Sequence, residues 1–166
     1  MCLAKGLSGG GLPLGAVMMS KAVGEAAQDV HTGGTFAGQP AACLGASEAL
    51  RVFEEDHVLE HVAVLEQIAK DKLEPLTDRH PIVGEVRVWG LYLAIDFVRD
   101  RVSRERAPEI SQKVHTGCLR RGLAGIQDSV AHYRGLPALN MPEPVFERAM
   151  DILVESVDEV AASVEG

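Results

Sequence analysis

The chain has 166 residues, 46% apolar and 24% charged, enough for one ordinary domain or for one domain plus a piece of another, with a real core. The 16 Lys and Arg against 24 Asp and Glu leave a net charge of -8, which excludes the electrostatic footprint of a nucleic-acid or anionic-membrane binder. Apolar runs such as Leu91 to Ile95 are too short to span a bilayer, no secretory-type leader opens the chain, and Cys2, Cys43 and Cys118 form no CxxC pair, a usage that fits reduced thiols in a cytoplasm and no metal centre.

The first 50 residues hold 10 of the 17 glycines and only two basic and three acidic residues. Such a front suits backbone packed closely around a ligand. Met1 to Ala4 is a short apolar strand ending at Lys5, and Gly6 to Gly15 is a loop. Pro40 stands at a first helical position, and the alanines after it predict a helix to about Glu55. A second helix starts near His57, with Val58, Val62, Leu65, Ala69, Leu73 and Leu76 on one face, and breaks at Pro81. Leu91, Leu93, Ile95 and Phe97 alternate with Tyr92, Ala94, Asp96 and Val98, the period of a strand with one apolar face. Gly84 to Val88 is its hairpin partner, turning at Trp89-Gly90. Pro108 opens a helix ending near Gly122. A short irregular or strand segment spans Ala131 to Leu136. Phe146, Ala149, Leu153, Val157, Val160 and Val164 stripe a closing helix. The rear is a small α+β domain.

Four constellations offer chemistry. Lys5 follows apolar residues and precedes Gly6-Leu7-Ser8-Gly9-Gly10-Gly11-Leu12-Pro13-Leu14-Gly15. At the end of a buried strand its amine would be partly desolvated, which supplies the neutral form needed for a Schiff base; from composition alone, an exposed surface lysine is the commoner outcome. The glycines spell neither a P-loop nor a dinucleotide fingerprint. His31-Thr32-Gly33-Gly34-Thr35-Phe36-Ala37-Gly38 precedes a helix and offers N–H groups and a hydroxyl to an anion, or is a plain loop and cap. Arg134, in Tyr133-Arg134-Gly135-Leu136-Pro137, is suited to fork onto a carboxylate, or is a surface residue at a strand end. His57 and His61 have an i,i+4 spacing, but no further ligands at zinc spacing accompany them, so a solvated helix face is expected.

Taken together, these segments resemble the class III (subgroup II) pyridoxal-phosphate-dependent aminotransferases, ω-amino acid transaminases in particular. Leu3-Ala4-Lys5-Gly6-Leu7-Ser8-Gly9-Gly10-Gly11-Leu12-Pro13-Leu14-Gly15 looks like the family segment around the lysine that holds the cofactor. Thr35-Phe36-Ala37-Gly38-Gln39-Pro40 is similar to the family's Thr-Phe-x-Gly-x-Pro. Val83-Gly84-Glu85-Val86-Arg87 with Gly90-Leu91, and Arg134 with Pro137-Ala138-Leu139, look like the family's small-domain strands. Val88 departs from the pattern, standing where the family usually has glycine.

The resemblance implies an α/β fold, the C-terminal part of a fold-type I transferase. Residues 1–55 would be the tail of the large cofactor domain and 56–166 the small α+β domain. It implies pyridoxal 5'-phosphate held by Lys5, its phosphate reached across a homodimer by Thr35, and a substrate carboxylate bound by Arg134. The reaction implied is transfer of an amino group from an amine or ω-amino acid to a 2-oxo acid, pyruvate or 2-oxoglutarate. Alternatives are a racemase, aminomutase or decarboxylase on the same scaffold, or a non-catalytic remnant. Family members are much longer, and their N-terminal part holds the acid for the pyridine nitrogen, the stacking aromatic and the first phosphate loop. A fragment is therefore expected, inactive by itself.

Overall fold

The computed structural model describes residues 1–30, 33–127 and 131–165. The chain divides after Val58 into two units.

The first unit opens with β1 (Cys2–Leu3), which runs into a single 3-10 turn, Lys5–Ser8. β2 (Ala16–Val17) pairs antiparallel with β1, Cys2 opposite Val17 and Leu3 opposite Ala16. The residues between them are thus the arm of a two-stranded ladder. α1 (Lys21–Ala26) is capped by Ser20, whose hydroxyl accepts from the Val23 amide at 3.4 Å. α2 (Pro40–Glu55) begins at the expected proline, and the Gln39 side chain accepts from Ala42 N at 3.1 Å. The 3-10 turn lies against α2, where a methyl group on Gly9 would stand 3.7 Å from the Ala49 methyl. Only Ser8, Ala42, Ala46 and Val58 are buried among the described residues of this unit. Alanine methyls bury little area, so hydrophobic burial contributes little to its stability.

The second unit is a two-layer structure with four helices on one face of a sheet. α3 (Val58–Leu73) and α4 (Pro75–Arg79) follow one another closely, and the stripe Leu65, Ala69, Leu73 and Leu76 is fully buried. β3 (Val83–Trp89) and β4 (Tyr92–Asp100) form an antiparallel hairpin with Glu85 opposite Asp96 and Arg87 opposite Ala94. The turn falls on Gly90-Leu91, one residue later than the sequence suggests. Gly90 takes the left-handed φ of 54°, so Leu91 swings into the core at 5% exposure and Trp89 stays in the strand. β5 (Glu105–Arg106) pairs with β4, and α5 (Pro108–Arg120), β6 (Ile126–Gln127), β7 (His132–Gly135) and α6 (Glu143–Glu165) complete the order. The sheet runs β3-β4-β7-β6.

Leu93, Ile95 and Phe97 of β4, Tyr133 of β7, Val114 of α5, and Phe146, Leu153 and Val157 of α6 make the core. Each fully buried large side chain contributes about 1.5–3 kcal/mol. Two glycines permit close approach. A methyl on Gly117 would lie 3.2 Å from both Cβ and Oγ of Ser156, so α5 and α6 touch along small residues. A methyl on Gly125 would overlap the Tyr133 ring, including its Cζ, Cε2 and hydroxyl. Gly125→Ala is therefore expected to lower the unfolding free energy in urea by about 1–3 kcal/mol. Combining it with Tyr133→Leu should cost less than the sum of the two single changes; strict additivity would mean that the clash is not what Gly125 avoids.

Candidate active site

Lys5 opens the 3-10 turn directly after β1 with a φ of 54°. A non-glycine residue holds that left-handed conformation at a cost of about 1–2 kcal/mol. Its side chain is exposed. The desolvated amine expected of a buried strand end is therefore not what this unit makes, because a two-residue strand in a two-stranded ladder gives the lysine no layer to sink into. Gly9 and Gly10 follow at φ of 63° and 80°. Both carry the loop through a region closed to most side chains. Ser8 anchors the loop from within by donating its hydroxyl to Leu12 O.

Ala4 to Gly6 and Gly10 to Gly15 form one wall of a cleft of about 1110 Å3. Its other wall is the turn Phe36 to Gly38, tied by Ala37 N donating to Gly34 O at 2.9 Å and by Gln39 N donating to Phe36 O at 3.3 Å. The two glycine-rich sequence motifs thus meet on one cavity. Thr35 begins the same turn, is exposed, and stands one residue outside the lining. His31 and Thr32 lie outside the described residues. Lys5 is the one titratable group among the described residues lining the cleft, which is otherwise glycine, proline and apolar side chains.

Arg134 belongs to the second unit. It lies on β7 opposite Ala94 of β4 and Ile126 of β6, on the sheet face away from the helices. The small side chain of Ala94 leaves room beside it, and the Arg134 Nε is sealed from solvent. Its chain neighbour Tyr133 faces the core, wedged beside Gly125 and 6.2 Å, ring to ring, from His115. Burial holds the Tyr133 phenol well above its ordinary range and also raises the Cys118 thiol, so both stay neutral and act as packing groups.

Sequence reasoning missed the neighbours of Arg134 on this face. Arg87 forks onto Asp96, Nη1 to Oδ2 and Nη2 to Oδ1, both at 2.8 Å, and reaches Glu85 at 2.7 Å. The Asp96 carboxylate, ahead of Glu85, raises the guanidinium pKa further. His132 Nδ1 stands 3.9 Å from Asp96 Oδ1. Strand register assembles this cluster, setting Glu85 opposite Asp96 in the β3–β4 hairpin and His132 opposite Asp96 between β4 and β7. His57 precedes α3 with a φ of 50°, while His61 Nε2 is engaged at 2.8 Å with Met141 O.

Residues 1–157 match the family model for class-III aminotransferases. The chain is 30% identical over 155 residues to the 5-aminovalerate aminotransferase DavT of Pseudomonas aeruginosa, covering 92% of this chain and 36% of that protein. It is 31% identical over 154 residues to the 4-aminobutyrate aminotransferase GabT of Escherichia coli, covering 90% of this chain and 36% of that protein. It therefore spans about a third of the length of these curated relatives. Among solved structures, the ω-transaminase of Pseudomonas jessenii in complex with PMP superposes with a TM-score of 0.86 at 26% identity, over 99% of this chain and 38% of that one. Its fold is that of the fold-type I transaminases, and the chain belongs to the class-III aminotransferase family.

Proposed function

We propose that these residues form the C-terminal part of a transaminase moving an amino group from an amine or ω-amino acid to a 2-oxo acid. The observation that carries the reading is the cleft that Lys5 and the Phe36–Gly38 turn line together. Residues 1–55 are then the tail of the cofactor domain and 56–166 the small domain.

The cleft fits one end of pyridoxal 5'-phosphate. It offers a single primary amine, side-chain-free glycines that admit a flat ring, and the apolar faces of Leu12, Leu14 and Phe36. When bound, the cofactor supplies the carbonyl that takes up the amino group and the electron sink for the carbon beside it. Lys5 Nζ would hold the cofactor, and the same nitrogen would carry the proton at that carbon. Thr35 donates its hydroxyl to the phosphate, across a homodimer in this reading. Arg134 binds the substrate carboxylate and so fixes which carbon is presented. A cytoplasmic setting agrees with the cysteine usage.

The cleft contains no carboxylate for a pyridine nitrogen among its described residues. The purified 166-residue chain is accordingly expected to react weakly with the cofactor and to show no turnover. A polypeptide that carries these residues within the full length of the curated relatives should transfer the amino group of 5-aminovalerate, 4-aminobutyrate or a simple amine to 2-oxoglutarate or pyruvate. Exchange of the substrate α-proton without consumption of any 2-oxo acid would replace this reading with a racemase-type one.

A further inference from the structure

The outer face of the second unit's sheet carries a second group of cations, separate from Arg134. The Phe97 amide donates to Ala131 O at 2.9 Å, and its carbonyl accepts from Ala107 N at 3.1 Å. Both groups of one residue point to the same edge of a strand, so β5 and β7 lie end to end along one side of β4. The register places Arg106 opposite Val98, His132 opposite Asp96 and Arg134 opposite Ala94. Successive members of this row are two residues apart along β4, roughly 7 Å, which puts the Arg106 and Arg134 backbones roughly 14 Å apart. Arg104 precedes Arg106 by two residues, and both line one cavity.

At the Arg106 end the sheet carries a cavity of about 430 Å3 lined by Arg101, Arg104 and Arg106 and floored by Gly84, Val98 and Ala131. Gly84 leaves this floor low, since a methyl there would come within 2.7 Å of Val98 Cγ1. Arg87, Asp96 and Glu85 also line the cavity, and the two carboxylates answer the Arg87 charge. The other three arginines are not answered in this way. Arg101 donates to the carbonyls of Thr77 and His80, which are neutral. Among the described residues, the guanidinium groups of Arg104 and Arg106 have neither a hydrogen-bond nor an ion-pair partner. The nearest carboxylates in the chain are already used. Asp100 accepts from Ser103 N at 2.7 Å in the turn, and Glu105 is held by Arg99 at 2.5 Å; neither lines the cavity. Arg104 also takes a left-handed φ of 55°, where glycine or asparagine would sit at lower cost.

We propose that this cavity binds the phosphate group of a small phosphorylated molecule. A dianion with three terminal oxygens accepts forks from two guanidiniums at once, whereas a carboxylate is saturated by one. Four arginines against two carboxylates leave the lining with an excess of two positive charges in a protein of net charge -8, which matches the dianion. The site is independent of the transaminase reading.

Inorganic phosphate titrated into the 166-residue chain at constant ionic strength, followed by calorimetry and thermal shift, tests this. Saturable binding and a raised melting temperature are expected. Arg106→Gln and Arg104→Gln should each weaken binding about tenfold or more, the loss of one charge-assisted contact. Both side chains are exposed, so both variants should fold, and circular dichroism checks that they do. Arg106→Lys should recover part of the loss, and Arg134→Ala should leave phosphate binding unchanged. A response to phosphate no larger than that to sodium chloride overturns the proposal, as does succinate binding more tightly than phosphate. Loss of binding in Arg134→Ala would assign the anion to the row's other end and overturn it equally.

Discussion

Replacing Lys5 with alanine is expected to abolish amino transfer in any active polypeptide that contains these residues, because it removes both the covalent anchor and the proton carrier. A readout independent of turnover is available. Borohydride reduction in the presence of pyridoxal 5'-phosphate should fix the cofactor to Lys5, and peptide mapping should find it there. Competing amines are differently placed. The Lys70 ammonium is bound by Glu66 at 2.6 Å, which raises its pKa, and Lys72 is bound by Asp151. An ammonium held in its charged form is a poor nucleophile, so Lys70 should label slowly, and the Lys72 nitrogen is engaged by Asp151. Lys5 has an exposed amine in a cleft with no carboxylate among its described lining residues. Label found mainly on Lys21, Lys70, Lys72 or Lys113 would remove Lys5 from the proposed role. Lys5→Arg should not rescue, since a guanidinium keeps its charge and cannot add to a carbonyl at neutral pH.

Much of the second unit was legible because its elements are long enough for their periods to show. The stripe of α3 repeats over more than four turns, and Leu65, Ala69 and Leu73 are fully buried. β4 alternates through Leu93, Ile95 and Phe97, and each of them is in the core. Pro40 and Pro108 both sit in first turns, where a missing N–H costs nothing. Strands of two residues have no period to read. β1 is observed within the apolar Met1 to Ala4 segment expected to be a strand, whereas β2, β5 and β6 exist only through their partners, such as Val98 for Arg106. Gln39 was not legible as a cap, because glutamine is not among the residues favoured at that position. The site divides in the same way. Lys5 and the Phe36 turn were found through the resemblance of contiguous segments. The Arg87–Asp96 fork was not, since it depends on the β3–β4 register, nor was the cavity beside Arg104 and Arg106, which residues of other elements complete.

The second large effect is expected at Arg134. Its strand is fixed from behind. Tyr133 is 3% exposed in the core, and the sheet places Arg134 on the opposite face between Ala94 and Ile126. A guanidinium held by its strand in this way presents its fork at little further entropic cost. Arg134→Ala should therefore raise the KM for the 2-oxo acid strongly. Loss of one partner of a desolvated charge pair costs about 2–4 kcal/mol, which is about 30- to 700-fold in affinity. Arg134→Lys should recover little of it, because an ammonium replaces two parallel hydrogen bonds with one point contact. The substrate provides an internal control. For a donor amine that has no carboxylate, the half-reaction should proceed in Arg134→Ala at nearly its original rate, while the half-reaction with the 2-oxo acid is slowed. Gly125→Ala disturbs the same strand through Tyr133, but it should lower stability without this split between the two half-reactions. If Arg134→Ala slows both half-reactions equally, or leaves the acceptor KM unchanged in a folded protein, Arg134 does not bind the carboxylate and its place on the sheet is structural.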